Sequence, residues 1–251
     1  MKVKYYDLEN KRVFITGGGS GIGASIVEHF CEQGSEVYFI DINEDESKKL
    51  IEDIKNKNYS LPTFIKCDLL NIKELQKTIA DIISNKGPID ILINNAAIIH
   101  TAIFQMTSIK KLKEVFETNF FGQSNFTQYI LKSMVKNKKG SIINISSSSA
   151  LDGNEGRSAY SASKNALIAQ TKVLSRELGS NNIRVNVIAP GLTNTDMMKK
   201  NTPQKVVDDV LSKVSLKRVA DPEEIANVAL LISSDLSSYI TGQVIRVDGG
   251  M

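Results

Sequence analysis

The chain has 251 residues, with 31 Lys and Arg against 28 Asp and Glu and a net charge of +3. That length suits one α/β domain that buries a sizeable core without disulfides, and lysines scattered beside acids argue against a nucleic-acid stripe. No run approaches transmembrane length, and Met1-Lys2-Val3-Lys4-Tyr5-Tyr6-Asp7 lacks the apolar core of a signal peptide, so the sequence reads as cytoplasmic, with no membrane partner.

The first element is Lys11-Arg12-Val13-Phe14-Ile15-Thr16, a β-rich run followed at once by Gly17-Gly18-Gly19-Ser20-Gly21-Ile22-Gly23. A helix follows, with Ile22, Ile26, Val27 and Phe30 on one face and Gly34 as its stop. Strand, glycine turn and helix form the setting in which backbone approaches a pyrophosphate and helix N–H groups meet its charge. No Lys-Ser/Thr follows the glycines, which disfavours a nucleotide-triphosphate loop. The next strand, Glu36 to Ile40, ends on Asp41, placed either to accept hydrogen bonds from an adenosine ribose or to cap the helix starting near Asn43. A ribose role for Asp41, with no cation at Ser20, predicts NAD(H) over NADP(H).

Further on, Asn71-Ile72-Lys73-Glu74 reads as a capping box. The runs Ile89 to Ile93, Ser141 to Ile145 and Ile183 to Ala189 are short and nearly continuously apolar, as strands covered on both faces are. Asp221-Pro222-Glu223-Glu224 marks a late helix start. Alternation of strand and helix implies a parallel sheet, with a ligand crevice at the strand C-termini. Between Ser141 and Ile183 lies Tyr160-Ser161-Ala162-Ser163-Lys164, whose phenol and ammonium share a helical face. A cation about 4 Å from a phenol contributes roughly 4 kcal/mol at an effective dielectric near 20, or about three pKa units, enough to bring a tyrosine toward the working pH. His29 and His100 are the only histidines, and Cys31 and Cys67 lack metal-like spacing, so no metal site is expected and the thiols read as reduced core residues.

Taken in order, Thr16-Gly17-x-x-x-Gly21-x-Gly23, Asp68, Asn94-Asn95-Ala96-Ala97, Asn119, Ser147, Tyr160-x-x-x-Lys164, Pro190-Gly191, Thr241-Gly242-Gln243 and Asp248-Gly249-Gly250 closely resemble the short-chain dehydrogenase/reductase family. The resemblance runs from Lys11 to Met251, in the branch that includes 3-oxoacyl-carrier-protein reductases and many sugar, polyol and steroid dehydrogenases. It implies a single-domain Rossmann fold over 1–251, doubly wound, with a seven-stranded parallel sheet, helices on both faces and a substrate lid at about 192–216. The implied reaction is interconversion of a ketone and a secondary alcohol by hydride transfer. A sugar, polyol or hydroxysteroid dehydrogenase is the alternative to a 3-oxoacyl thioester reductase, and a non-catalytic dinucleotide sensor is a more distant one.

By resemblance, Ser147 would hold the substrate oxygen, Tyr160 would be the general acid/base, Lys164 would lower its pKa and bind the nicotinamide ribose, and Asn119 would anchor a relay water. The cofactor would lie along Gly17, Gly19, Ser20, Gly21, Ile22 and Gly23, then Asp41, with Asp68 and Leu69 by the adenine. Asn95 would lie near the adenosine ribose, the Thr193 backbone would meet the nicotinamide carboxamide and Thr195 would reach a phosphate, with Ala96, Ala97, Tyr160, Lys164, Pro190 and Gly191 also along the cofactor. Ala97 departs from the glycine usual in the family, which costs only where a positive φ is needed. Asn119 has the competing reading of a polar residue interrupting an apolar helix. His100 is open between a substrate role and loop packing, and Arg157 between holding an anionic substrate group and pairing with an acid on a partner subunit. A homotetramer or homodimer is expected, built on the helices around Asn119 and Tyr160.

Overall fold

A computed structural model describes residues 3–251; the reading of the opening segment rests partly on Met1 and Lys2, which lie outside the described residues. Seven strands form one parallel sheet in the order β3-β2-β1-β4-β5-β6-β7. They are β1 (Arg12–Thr16), β2 (Glu36–Asp41), β3 (Thr63–Lys66), β4 (Ile91–Asn94), β5 (Gly140–Ile145), β6 (Ile183–Pro190) and β7 (Val244–Val247). Every residue of β4 and β5 is buried, as their unbroken apolar runs require of strands covered on both faces.

The helices are α1 (Gly21–Glu32), α2 (Glu44–Asn56), α3 (Ile72–Lys86), α4 (Ile109–Phe116), α5 (Gln123–Asn137), α6 (Ser149–Asp152), α7 (Ser158–Leu178), α8 (Asp196–Asn201), α9 (Gln204–Lys213) and α10 (Pro222–Ser233). Successive residues of β1 feed opposite layers, as the two-residue strand period dictates. Val13 and Ile15 join Ile26 and Phe30 of α1 and Ile225 and Leu230 of α10. Phe14 faces the other way, joining Leu75 and Ile79 of α3 and Ile130 of α5, and meets Phe126 edge-on at a centroid separation of 5.0 Å.

Two local expectations change. The box at Asn71 does not close on backbone: Asn71 Nδ2 donates to Glu74 Oε2 at 2.6 Å and the side chain caps no N–H, because a donor to a carboxylate makes the stronger, charge-assisted bond. Asp41 is not the cap of α2; that is Asn43, whose side chain accepts from the Glu46 N–H at 3.3 Å. At α10 the expected signal holds, with Pro222 in the first turn and the Asp221 N–H donating to Glu224 Oε2 at 2.9 Å.

Two irregular stretches set up the region beyond the strand ends. Between α4 and α5 the chain makes a π-helical turn, Glu117–Gly122, of the kind that often marks functional positions. After β6, Thr193 and Ala220 form an isolated bridge. It is held by Asn194 N–H to the Ala220 carbonyl at 2.8 Å and Ala220 N–H to the Leu192 carbonyl at 2.9 Å. The segment between them carries α8 and α9. Among the described residues no helix is long and apolar enough to cross a membrane.

Candidate active site

The strand order reverses between β1 and β4, which parts the connections leaving their C-terminal ends and opens a crevice there. A cavity of about 600 Å³ occupies it. Its first wall is the turn from β1 to α1. Gly17 has φ +64, and a Cβ there would come within 2.7 Å of the Ala96 Cα; a Cβ on Gly23 would overlap the Gly17 carbonyl oxygen. Both positions therefore need glycine, one for its backbone angle and one for close passage of backbone over backbone.

The turn is braced from neighbouring strands. Asn95 Nδ2 donates to the carbonyls of Gly17 (2.8 Å) and Thr16 (3.2 Å). Thr16 Oγ1 accepts the N–H groups of Asn95 (2.9 Å) and Ala96 (3.1 Å) and donates to Gln123 Oε1 at 3.0 Å. Asp41 Oδ2 accepts the Gly19 N–H at 2.8 Å, while Oδ1 takes the Asn43 N–H at 2.9 Å. Ser20, the N-cap of α1, makes no side-chain cap, so that helix start offers N–H groups to an anion. A glycine cradle that side chains would fill, an uncapped helix N-terminus and a carboxylate at the end of β2 together fit a dinucleotide.

Of the residues expected along such a ligand, Gly17, Ser20, Gly21, Ile22, Asp41, Asp68, Leu69, Asn95, Ala96, Ala97, Tyr160, Lys164, Pro190, Gly191, Thr193 and Thr195 line the cavity. Gly19 and Gly23 do not: Gly19 backs onto Asp41 and Ser47, and Gly23 onto the Gly17 carbonyl. Asn95 spends its side-chain amide on the turn itself. Ala97 has no positive φ, so its methyl costs no backbone strain. Thr195 caps α8, accepting the Met198 N–H at 3.2 Å, and lies against Gly21.

The opposite wall comes from the end of β5 and from α7. Ser146 Oγ donates to the Lys164 carbonyl at 2.9 Å, tying strand to helix. Ser147 Oγ lies 2.9 Å from Ser149 Oγ and accepts the Ser149 N–H at 3.2 Å. Lys164 is buried, and its Nζ donates to the Ile145 carbonyl at 2.7 Å; burial drives its ammonium down to about 7. Tyr160 is pushed up by burial, opposed by a hydrogen bond with Ser147 and by the Arg157 charge. Arg157 is thus a second cation near the phenol, and the Lys164 amine donates to the end of β5.

Asn119 sits inside the π-turn, fully buried and outside the cavity lining. Its Oδ1 accepts the Ile98 N–H at 2.8 Å, and its Nδ2 donates to the Ile98 carbonyl (2.9 Å) and Ser163 Oγ (3.1 Å). It pins the connection after β4 to α7. His100 does not line the cavity, and its Nε2 is buried without a partner. Arg157 does line it, and Nη2 donates to the Asn201 carbonyl (2.9 Å) and Thr202 Oγ1 (3.3 Å) at the end of α8. Gln123 escapes the sequence reading although it joins the network under the glycine turn, donating also to the Ala96 carbonyl at 2.5 Å. Only its place one turn after Asn119 hints at this. Glu114 and Thr118, also on the cavity wall, carry no motif.

Residues 17–251 match the family described as enoyl-(acyl carrier protein) reductase. The chain is 39% identical over 244 residues to a 3-oxoacyl-[acyl-carrier-protein] reductase of Chlamydia muridarum, covering 97% of this chain and 98% of the relative. This chain belongs to the short-chain dehydrogenase/reductase family. A second relative, the 3alpha-hydroxysteroid dehydrogenase of Mediterraneibacter gnavus, is 34% identical over 243 residues, with 96% and 97% of the two chains covered. The crystal structure of a 3-oxoacyl-[acyl-carrier protein] reductase from Brucella melitensis superposes with a TM-score of 0.91 at 28% identity, covering 100% of this chain and 98% of that one. As a short-chain dehydrogenase/reductase of this branch, the protein is an oxidoreductase acting on CH–OH and keto groups.

Proposed function

We propose that the protein interconverts a 3-oxoacyl compound and its secondary alcohol, using NAD(H), with Tyr160 as general acid/base. The observation that carries this reading is that Ser147, Tyr160 and Lys164 line one cavity with the glycine turn. The nicotinamide, when bound, supplies or accepts the hydride. Burial keeps the Tyr160 phenol protonated near neutrality, so it is charged with the proton that a reduced carbonyl oxygen needs. Ser147 holds that oxygen beside it. Lys164, titrating near 7, replaces the phenol proton and binds the nicotinamide ribose. Asn119, whose side chain is committed to Ile98 and Ser163, leaves the anchoring of a relay water to the backbone of its π-turn.

Selection of NAD(H) rests on Asp41, whose carboxylate repels a 2′-phosphate. Two lysines near the end of β2, Lys48 and Lys66, share the single carboxylate of Glu44 at 2.7 and 2.6 Å. We read 1–251 as one domain with its lid at 192–216, cytoplasmic, and assembled as a homotetramer or homodimer. The hydroxysteroid relative and the apolar wall of Leu192, Met197, Met198 and Val210 favour a second reading, oxidation of a hydrophobic secondary alcohol.

Steady-state oxidation of NADH, with NADPH in parallel, against a short 3-oxoacyl thioester tests the proposal. NADH should be the better cofactor, and Tyr160→Phe should abolish turnover while retaining NADH binding. Undiminished turnover by that variant would remove Tyr160 from its role, and equal use of NADPH would remove Asp41 from its own.

A further inference from the structure

The carbonyl-reductase reading accounts for one side of the cavity and leaves a charge unexplained on the other. Arg157 is half-buried, precedes the first turn of α7, and lines the same cavity as Ser147 and Tyr160. Its Nη2 is engaged by neutral lid acceptors, the Asn201 carbonyl and Thr202 Oγ1. Its Nη1 is buried and has no hydrogen-bond partner. No ion pair with a carboxylate is formed by it among the described residues. Glu114, a carboxylate on the cavity wall, pairs with Lys111 at 2.8 Å instead.

A guanidinium withdrawn from water without a counter-ion is costly, and its planar fork matches a carboxylate. Burial disfavours its charged form, and its field reaches the Tyr160 phenol. The missing counter-ion therefore belongs near the reacting carbon. The exposed Lys48, Lys57 and Lys66, by contrast, pair with surface acids and do not line the cavity.

We propose that Arg157 is a specificity-determining residue that binds a carboxylate of the substrate, so that the preferred ketone is an oxo acid carrying its negative charge a few bonds from the carbonyl. This rests on the carbonyl-reductase reading of the same cavity and puts the free oxo acid, whose carboxylate a thioester lacks, in place of the thioester as the preferred ketone. The remaining surroundings suit such a molecule: Thr202 Oγ1 meets the guanidinium, Asn154 also lines the cavity, and Met197, Met198 and Val210 give it apolar lining.

Calorimetric titration tests the proposal without turnover. The probes are acetoacetate and levulinate, each beside its methyl ester, added to the protein saturated with NAD⁺, which cannot reduce them. At least one oxo acid should bind the wild type more tightly than its ester. Arg157→Gln should shrink that preference by about 30-fold or more, and Arg157→Lys should restore part of it. The proposal is overturned if neither acid binds better than its ester, or if Arg157→Gln weakens acid and ester by the same factor. The second result would make Arg157 a latch for α8 alone. Loss of the oxidoreductase reading is recognised separately: NADH would then fail to reduce acids and esters alike, whereas ester reduction that disappears in Tyr160→Phe, without any acid preference, sinks only the carboxylate subsite.

Discussion

Lys164 concentrates the tension between burial and charge. Among the described residues its ammonium pairs with no carboxylate and donates to one carbonyl, and burial takes its folded pKa to about 7, well below the ordinary value of 10.5. Between those two values the unfolded chain binds the additional proton, so folding stability rises with pH across that window and the full penalty applies below it. Lys164→Met removes the titrating group. Its unfolding free energy should therefore rise less than the wild type's from pH 7 to 10 in denaturant melts of the ligand-free protein; parallel curves would mean that the amine is solvated. Arg157 and Lys164 also show what local spacing conveys and what it does not. The i, i+4 relation correctly puts phenol and amine on one helix face, since both line the cavity. Which carbonyl or lid atom each cation meets depends on β5 and α8, which no helical repeat encodes.

At the scale of elements, the cavity is framed by ties between segments remote in the chain. The Thr16 to Gln123 hydrogen bond spans 107 residues and the Asn119 to Ser163 bond 44. The glycine turn, the Asp41 position and the α7 pair were readable because each is defined within one supersecondary unit, where short-range sterics and period suffice. The partners of the buried amides were not, since the Asn94 of the motif donates to Thr127 and Asn144, to which no local period points. Asn119→Ala tests how strongly the π-turn is coupled to the loop after β4. It orphans the Ile98 N–H and carbonyl, each costing about 1–3 kcal/mol when buried and unpaired, so chemical unfolding should show a loss of at least about 2 kcal/mol. A change within a few tenths would show that water replaces the amide readily.

Across the whole molecule, the functional side chains gather at one end of the sheet while apolar surface remains uncovered beside it. Ile103, Phe104, Met106 and Ile109 are 46–74% exposed on the approach to α4, Phe121 projects from the π-turn, and Val173 from α7. Exposed apolar side chains are what an association surface requires, and Phe121 and Val173 lie on the helices expected to meet symmetry mates. Sedimentation should find a dimer or tetramer of the 27.6 kDa chain, and the double change Phe104→Glu with Ile109→Glu should shift it toward smaller species; a wild-type monomer would refute the assembly. The bridge between Thr193 and Ala220 bears on how such a molecule can change over time. It cinches the intervening segment at its base, so that α8 and α9 can lengthen, shorten or be exchanged while the strands and the glycine turn keep their registers. New substrates are thus accessible by rewriting one tethered insert, and a lineage can diversify its chemistry without relearning how to fold.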